Sequence, residues 1–504
     1  MTRVTSLNPA TGVKRELEIE ETSLVEVAAL CARAASVASD VATRPLTWRA
    51  SLLRALADEL EADASSLVDV ALEETALTRP RLEGELRRTA FQLRFFAAVV
   101  TDGAFLLASI DHATDSPMGP LPDLRRLRVP IGPVAVFGSS NFPFAFSVPG
   151  GDTASATAAG CPVVIKAHPA HPATSQAAFA ALARGARRVD APEGLLGLVF
   201  GFEAGVALVE DPAICAVGFT GSVPAGRALW KRANARSTPI PFFGELGSAN
   251  PLVVTRAAAA ERGIEIGAGI AGSMTLGVGQ FCTKPGLLFV PADINGDALV
   301  TSLVDSLGEL SSMTMLSPAI AQHFREGMLS IANVEGSSHL VGADLDGGTS
   351  VSAQLVEAPA AVFSEPASCA LRQECFGPLA VVVRYQSDDE LSKALESADP
   401  ALTFSVFTAP KDDDVSWLVA FGQTRAGRVM VNAFPTGVGV SWSMQHGGPW
   451  PSATSPSSTS VGASALERWL RPVTYQGVPE SLLPEALRDD NPLGVPQRVD
   501  GVLR

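Results

Sequence analysis

The chain has 504 residues and a formal net charge of −15, with 47% hydrophobic and 18% charged residues. At ~150 residues per domain this predicts two to four domains around a large core. The composition is ordinary for a globular chain and excludes a mainly disordered or fibrous protein. The acidity argues against general binding to nucleic acid or anionic membranes, which needs Lys/Arg patches. No uncharged apolar run reaches the ~18 residues of a membrane span, and MTRVTSLNPATG has no apolar signal core. The six cysteines form no CxxC pair, so no zinc ribbon or disulfide scaffold is expected and a reducing, cytoplasmic setting fits.

The first hundred residues read as helical. Leu52, Leu53, Leu56 and Leu60 recur on one helical face. Asp63 with Ser65 and Ser66 predicts a break and a new cap, and Pro80 opens a second amphipathic run through Leu82, Leu86, Leu93 and Phe96. Residues 111–133 are proline-rich, with Arg125, Arg126 and Arg128 interleaved among Leu124, Leu127 and Val129. That pattern suits an extended connection or edge strand, and the basic cluster suits a solvated face or an interface equally. From Pro133 onward, apolar runs at 133–137, 161–165, 195–200 and 213–219 alternate with Ala/Gly-rich stretches at 152–160 and 172–186. Strands alternating with helices predict a mostly parallel sheet covered on both faces. Further strands are expected at 251–254, 287–290, 380–384 and 428–432, with a helix at 257–272 and a polar Ser/Pro loop at 449–460.

Several residues stand out chemically. Cys282 lies in GVGQFCTKPG, where flanking glycines permit close backbone approach and Lys284 would favour a thiolate. Cys31, Cys161, Cys215 and Cys369 instead read as small buried hydrophobes. Glu245, in PFFGELGSANP, is a carboxylate in apolar surroundings. Burial there predicts a raised pKa suited to a general base, the alternative being a capping or ion-paired glutamate. Asn141, after the 133–137 strand, is either an amide donor for an oxyanion or a turn residue. GFTGSVPAG (218–226) places Gly221 and Ser222 at a strand-to-helix turn, where a pyrophosphate can bind, although it is not a clean GxGxxG. Lys166 ends another strand, on the side where ligands of open parallel sheets sit.

Taken in order, NPATG (8–12), SSNFPF, VVIKAHPA, GFTGS, ELGSANP, GQFCTKPG, ECFGP (374–378) and RPVTYQ (471–476) resemble the aldehyde dehydrogenase superfamily. The wording around GQFCTKPG and HGGPWPSATSPSSTSVG is similar to a branch holding α-ketoglutaric semialdehyde (2,5-dioxopentanoate) dehydrogenases and some fatty aldehyde dehydrogenases. The resemblance implies that Cys282 attacks the aldehyde, that Asn141 and the cysteine's own N–H hold the oxyanion, and that Glu245 activates water against the thioester. It also implies that Glu374 binds the nicotinamide ribose beside Phe376, that Lys166 binds the adenosine ribose, and that Gly221 and Ser222 contact the pyrophosphate. No metal is implied.

Two positions depart from many relatives. Pro169 stands where a ribose-binding glutamate is common, which permits NADP, with His168 or His171 assisting, while Glu203 lies in a loop facing the same ribose. NADP is therefore expected over NAD. Ser140 replaces an aromatic residue beside Asn141.

The fold implied is α/β and aldehyde dehydrogenase-like. A Rossmann-type cofactor domain covers 1–112 and 131–247, and a catalytic domain covers 248–448. A small β oligomerisation element covers 113–130 and 469–504, implying a homodimer or homotetramer and raising the interface role of the three arginines. The expected partner is a small-molecule aldehyde, with no nucleic acid and no membrane. The expected reaction is oxidation of α-ketoglutaric semialdehyde to α-ketoglutarate. The alternatives are a fatty aldehyde dehydrogenase, for which Phe142, Phe144 and Phe146 would line a tunnel or simply form core, and a catalytically inactive nucleotide-binding relative.

Overall fold

The apolar runs become strands because helices cover both faces of the sheets they form, so no alternation with polar residues is required. In the computed structural model, which describes residues 2–342, 347–412 and 415–504, five such strands make an all-parallel sheet. Its spatial order is Phe242–Glu245, Ala216–Thr220, Val134–Phe137, Val163–Lys166, Leu196–Val199. The chain order reverses at Val134–Phe137, so a crevice opens beyond the C-terminal ends of that strand and Ala216–Thr220. Helices Gly151–Ala159, Pro172–Arg188, Phe202–Glu210 and Val223–Ala235 make the crossovers.

The second sheet has seven strands. Ser338–Val341 pairs antiparallel at one edge; Gln354–Pro359, Leu379–Tyr385, Leu287–Pro291, Pro251–Val254, Ala401–Phe407 and Ala426–Val431 follow in parallel. Every residue of Ala401–Phe407 and Leu287–Pro291 is buried. A third sheet joins distant parts of the chain, in the order Leu470–Gln476, Leu124–Pro130, Ala108–Asp111, Gln497–Val499, Val502–Leu503.

The N-terminal helices follow the expected pattern. Leu46–Ala62 buries Leu52, Leu53, Leu56 and Leu60. The chain breaks at Asp63 before helix Ala64–Thr75, although the Asp63 side chain makes no capping bond. Helix Arg79–Asp102 has Pro80 in its first turn, where the missing N–H costs nothing.

Three expectations need correction. Leu124–Pro130 lies between two partners instead of at an edge. Ala108–Asp111, expected in the cofactor unit, hydrogen-bonds into this third sheet because its ladder partner is Leu124–Arg126. The arginine cluster is not one solvated face: Arg125 is buried, pairing with Asp123 at 3.0 Å and Asp489 at 2.7 Å, while Arg126 is exposed.

The core is knitted across elements by a few buried polar groups. Trp469 is fully buried, donates its indole N–H to Ser155 Oγ at 2.9 Å and packs edge-on against Phe243. Glu85, buried in helix Arg79–Asp102, accepts from the backbone N–H groups of Phe144 and Ala145 at 2.8 and 2.9 Å and from Arg81 at 2.7 Å. It thereby fastens the segment that carries Asn141. Glu85→Ala would leave those donors and the guanidinium uncompensated. The expected loss is about 3 kcal/mol of unfolding free energy, read as a lower urea midpoint; an unchanged midpoint would remove Glu85 from that role.

Candidate active site

Cys282 follows helix Arg256–Thr275 and a short 3₁₀ turn, Leu276–Gly279. Gly277, Val278 and Gly279 all have positive φ, and Val278 at 62° is β-branched in a conformation such residues avoid. At Gly279 a Cβ would strike the backbone of Gly377 and Pro378. The GQFC and ECFGP blocks therefore meet backbone to backbone, and only glycine allows it. Asn250, fully buried, donates its amide to the carbonyls of Cys282 at 2.7 Å and Lys284 at 2.9 Å, and accepts from Ser248 and Thr403. It fixes the loop from behind.

Glu245 ends strand Phe242–Glu245 and is buried. Its Oε1 lies 2.8 Å from His446 Nε2. Its Oε2 accepts from Ser460 Oγ. The same His446 nitrogen is 3.4 Å from Cys282 Sγ. Glu245, Cys282 and His446 thus present three ligand-type atoms within 4.8 Å of one another.

His446 was not singled out in the sequence, nor was Ser460. Ser460 closes the segment read as a polar loop, 449–460, and His446 lies just ahead of it. That segment instead straps the parallel sheet: Glu245 bridges Ala453, Leu246 N donates to Ser452 O at 2.8 Å, and Gly244 N donates to Thr454 Oγ1 at 2.8 Å. His446 N donates to Thr459 Oγ1 and Ser460 N to His446 O, both at 2.8 Å. The signal was in the sequence as a lone histidine beside two glycines, but nothing local marked it.

The electrostatics differ from expectation at two residues. Burial alone would raise the Glu245 pKa; the adjacent His446, with Ser460 and Cys282, outweighs it and leaves the carboxylate below its usual value. The Cys282 thiol is pushed well above its usual value by burial, then by Glu245 and Glu374, with Arg428 opposing. Lys284 does not favour the thiolate: it is buried, its pKa falls with burial, and its ammonium donates to the carbonyls of Cys375 at 3.2 Å and of Leu379.

Asn141 is half-buried and donates to Gln280 O at 2.8 Å. That bond uses one N–H and leaves the second free. Of its neighbouring phenylalanines, Phe144 is core, whereas Phe142 and Phe146 are half-buried, edge-on to each other, with Phe281 against Phe142. Cys369 is exposed, not a buried hydrophobe, and Cys215 is half-buried.

Of the other predicted residues, Lys166 and Ser222 lie at the C-terminal ends of strands of the first sheet. Ser222 caps helix Val223–Ala235 through Ala225 N. Lys166 ends its strand half-buried, and burial brings its pKa down to about 8. His168 and His171 are both held neutral by burial, and His171 is spent on Ser139 O at 2.9 Å. Neither serves as a cation for a phosphate. Glu203 is exposed in the first turn of helix Phe202–Glu210. Glu374 rests against the bare backbone of Gly247, where a Cβ would collide with it, and burial raises its carboxyl to about 7. Phe376 is half-buried beside it in sequence.

A profile of the aldehyde dehydrogenase family matches residues 2–474. The chain belongs to the aldehyde dehydrogenase family. It is 43% identical over 501 residues to alpha-ketoglutaric semialdehyde dehydrogenase 2 of Azospirillum brasilense, covering 98% of this chain and 93% of that one. It is 39% identical over 459 residues to alpha-ketoglutaric semialdehyde dehydrogenase of Acinetobacter baylyi, covering 90% and 87%. The fold also matches the NADP-dependent glyceraldehyde-3-phosphate dehydrogenase of Bacillus halodurans C-125, with a TM-score of 0.79, 23% identity and coverage of 95% and 96%. The protein is therefore an NAD(P)-dependent aldehyde dehydrogenase, an α/β enzyme acting on a small-molecule aldehyde. No helix among the described residues is long and apolar enough to cross a membrane.

The residues present fit a nicotinamide dinucleotide. Among the described residues, neither the Lys166 ammonium nor the Glu374 carboxylate has an ion-pair partner within 4.0 Å. The bare Gly221 backbone and the capped helix start lie between them in sequence, at the switch-point crevice.

The charge of Glu245 opposes ionisation of Cys282, so Glu245→Gln lowers the thiol pKa. Alkylation of Cys282 by iodoacetamide at pH 8, followed by peptide mass spectrometry, should speed up several-fold in that variant. A slower or unchanged rate would contradict this electrostatic account.

Proposed function

We propose that this protein oxidises α-ketoglutaric semialdehyde to α-ketoglutarate, with Cys282 as nucleophile, Glu245 as general base and Asn141 as oxyanion donor. The observation that carries the chemistry is the meeting of Cys282, Glu245 and His446 in one buried cluster. The substrate rests on the two semialdehyde dehydrogenases that match at 43% and 39% identity over most of the chain.

Cys282 sulfur adds to the aldehyde carbon, and its proton passes to the His446–Glu245 pair, whose nitrogen is 3.4 Å from Sγ. The free N–H of Asn141, whose amide is already oriented by Gln280 O, donates to the oxyanion of the thiohemiacetal. Bound NAD(P) supplies the two-electron acceptor for the hydride that leaves this carbon. The pair releases that proton to solvent, Glu245 takes a proton from water as hydroxide adds to the thioester, and the departing Cys282 thiolate regains a proton from Glu245 while the acid product ionises to the carboxylate. Glu245 suits that task because His446 and Ser460 keep it ionised despite burial.

Lys166, Gly221, Ser222, Glu374 and Phe376 are the proposed cofactor contacts. NADP is the proposed preference, with NAD also used. Pro169 supplies no carboxylate to repel a 2′-phosphate, and Lys166 has no acid within ion-pair range among the described residues. His168, neutral at working pH, contributes only contact. We place the enzyme in the cytoplasm as a homodimer or homotetramer. The exposed strand Leu470–Gln476, which ends its sheet, is the natural pairing surface.

The substrate's carboxylate needs a cation, and Arg88 is placed to give one. Its guanidinium is close enough to act electrostatically on Cys282 and Glu245. It spends its donors on neutral acceptors only, Gln92 Oε1 and Val438 O, all at 3.3 Å. No carboxylate lies within 4.0 Å of it among the described residues.

Two measurements test these assignments. Purified protein, assayed by absorbance of reduced cofactor, should show a higher kcat/KM for α-ketoglutaric semialdehyde than for succinic semialdehyde or decanal, and Cys282→Ala should abolish turnover with the fold retained. A preference for decanal would overturn the substrate, and near-native turnover by the variant would overturn the nucleophile. Arg88→Met should raise KM for the keto-semialdehyde about tenfold or more, the worth of a charge-assisted hydrogen bond, while leaving KM for pentanal unchanged. Equal changes for both aldehydes would make Arg88 structural.

A further inference from the structure

The cluster at Cys282 has a capacity that aldehyde oxidation does not use. We propose that Cys282 Sγ, His446 Nε2 and Glu245 Oε1 together form a three-ligand site for Zn²⁺, whose occupation reversibly arrests the enzyme.

The geometry is already close to what the ion requires. The sulfur–nitrogen separation is 3.4 Å and the nitrogen–oxygen separation is 2.8 Å, with all three atoms within 4.8 Å of one another. Zinc bonds of about 2.3 Å to sulfur and about 2.0–2.2 Å to nitrogen and oxygen put tetrahedral ligands roughly 3.3–3.6 Å apart. The sulfur–nitrogen and nitrogen–oxygen pairs lie within about 0.8 Å of that spacing, and the sulfur–oxygen pair closes from within 4.8 Å as the ion enters. One thiolate, one imidazole and one carboxylate is a donor set that selects zinc over magnesium or calcium.

A second observation points the same way. Glu245 is only 4% exposed, and its Oε1 faces the cluster, 2.8 Å from His446 Nε2. Its sister oxygen is held by Ser460, so the free oxygen cannot rotate away without breaking that bond. His446 is held by its own backbone bonds to Thr459 and Ser460. These outer contacts orient first ligands in the way metal sites need. Cys282 is half-buried, so its sulfur is within reach of solvent ions.

Binding is a ligand exchange without electron transfer. The thiol releases one proton to solvent, and sulfur, ring nitrogen and carboxylate oxygen each donate a lone pair to the ion. The nucleophile and the base are then both occupied. The site depends only on these three side chains, whichever aldehyde the enzyme oxidises.

The test uses the full-length enzyme stripped with EDTA and freed of chelator. Co²⁺ serves as the spectroscopic probe and Zn²⁺ as the calorimetric one. One equivalent of Zn²⁺ per chain is expected, with a thiolate-to-cobalt charge-transfer band in the near ultraviolet and activity restored by EDTA. Cys282→Ser should remove the band. His446→Gln and Glu245→Gln should each weaken Zn²⁺ binding at least about tenfold, with circular dichroism confirming that each variant is folded. Zinc affinity unchanged in both of those variants would reveal a lone-thiol adduct and overturn the proposal, as would a band that survives Cys282→Ser.

Discussion

The site depends on keeping a buried carboxylate ionised. Glu245 sits where burial alone would protonate it, and the His446 ring with the Ser460 hydroxyl reverses that outcome. Both partners come from a segment some two hundred residues away in sequence, held along the sheet by backbone bonds at Gly244, Glu245 and Leu246. If the strap lifted, Glu245 would lose its charge, its orientation and its link to Cys282 at once. Many other features are consistent with protecting this arrangement. Asn250 fixes the cysteine loop from behind, Gly279 lets that loop touch the ECFGP backbone, and Glu85 fastens the segment bearing Asn141.

Electrostatically, the cluster resolves a conflict. A carboxylate beside a thiol makes the thiol harder to ionise, and Cys282 is accordingly held protonated. A proton acceptor in contact with both groups removes the difficulty, because charge moves within the cluster instead of being created there. His446 is that contact. The strained φ of Val278 and the converging backbone turns show where conformational cost is concentrated to hold the sulfur in place.

Much of the architecture was legible because both-face burial leaves a simple mark. Runs such as 133–137 and 287–290 are apolar throughout, and only a covered parallel strand needs that. The positions of Cys282, Glu245 and Asn141 were legible from the wording of their blocks. Their environment was not. The expected rise in the Glu245 pKa followed from burial alone and failed because its counter-charge lies far along the chain. Lys284 looked like a thiolate partner by proximity, yet the turn points its ammonium into backbone carbonyls. Ser460 stayed hidden in a Ser/Pro segment whose polarity suggests solvent, and His446 just ahead of it carried no local mark. Those polar groups are spent internally, on strap and sheet.

The late position of that strap shapes how the enzyme comes into being. Cys282 precedes His446 by 164 residues, so at synthesis rates of roughly 5–20 residues per second the thiol emerges on the order of ten seconds earlier. Through that interval both sheets can begin to assemble, but the reactive centre lacks its histidine and its hydroxyl. The cluster at Cys282 is therefore incomplete until the segment bearing His446 docks.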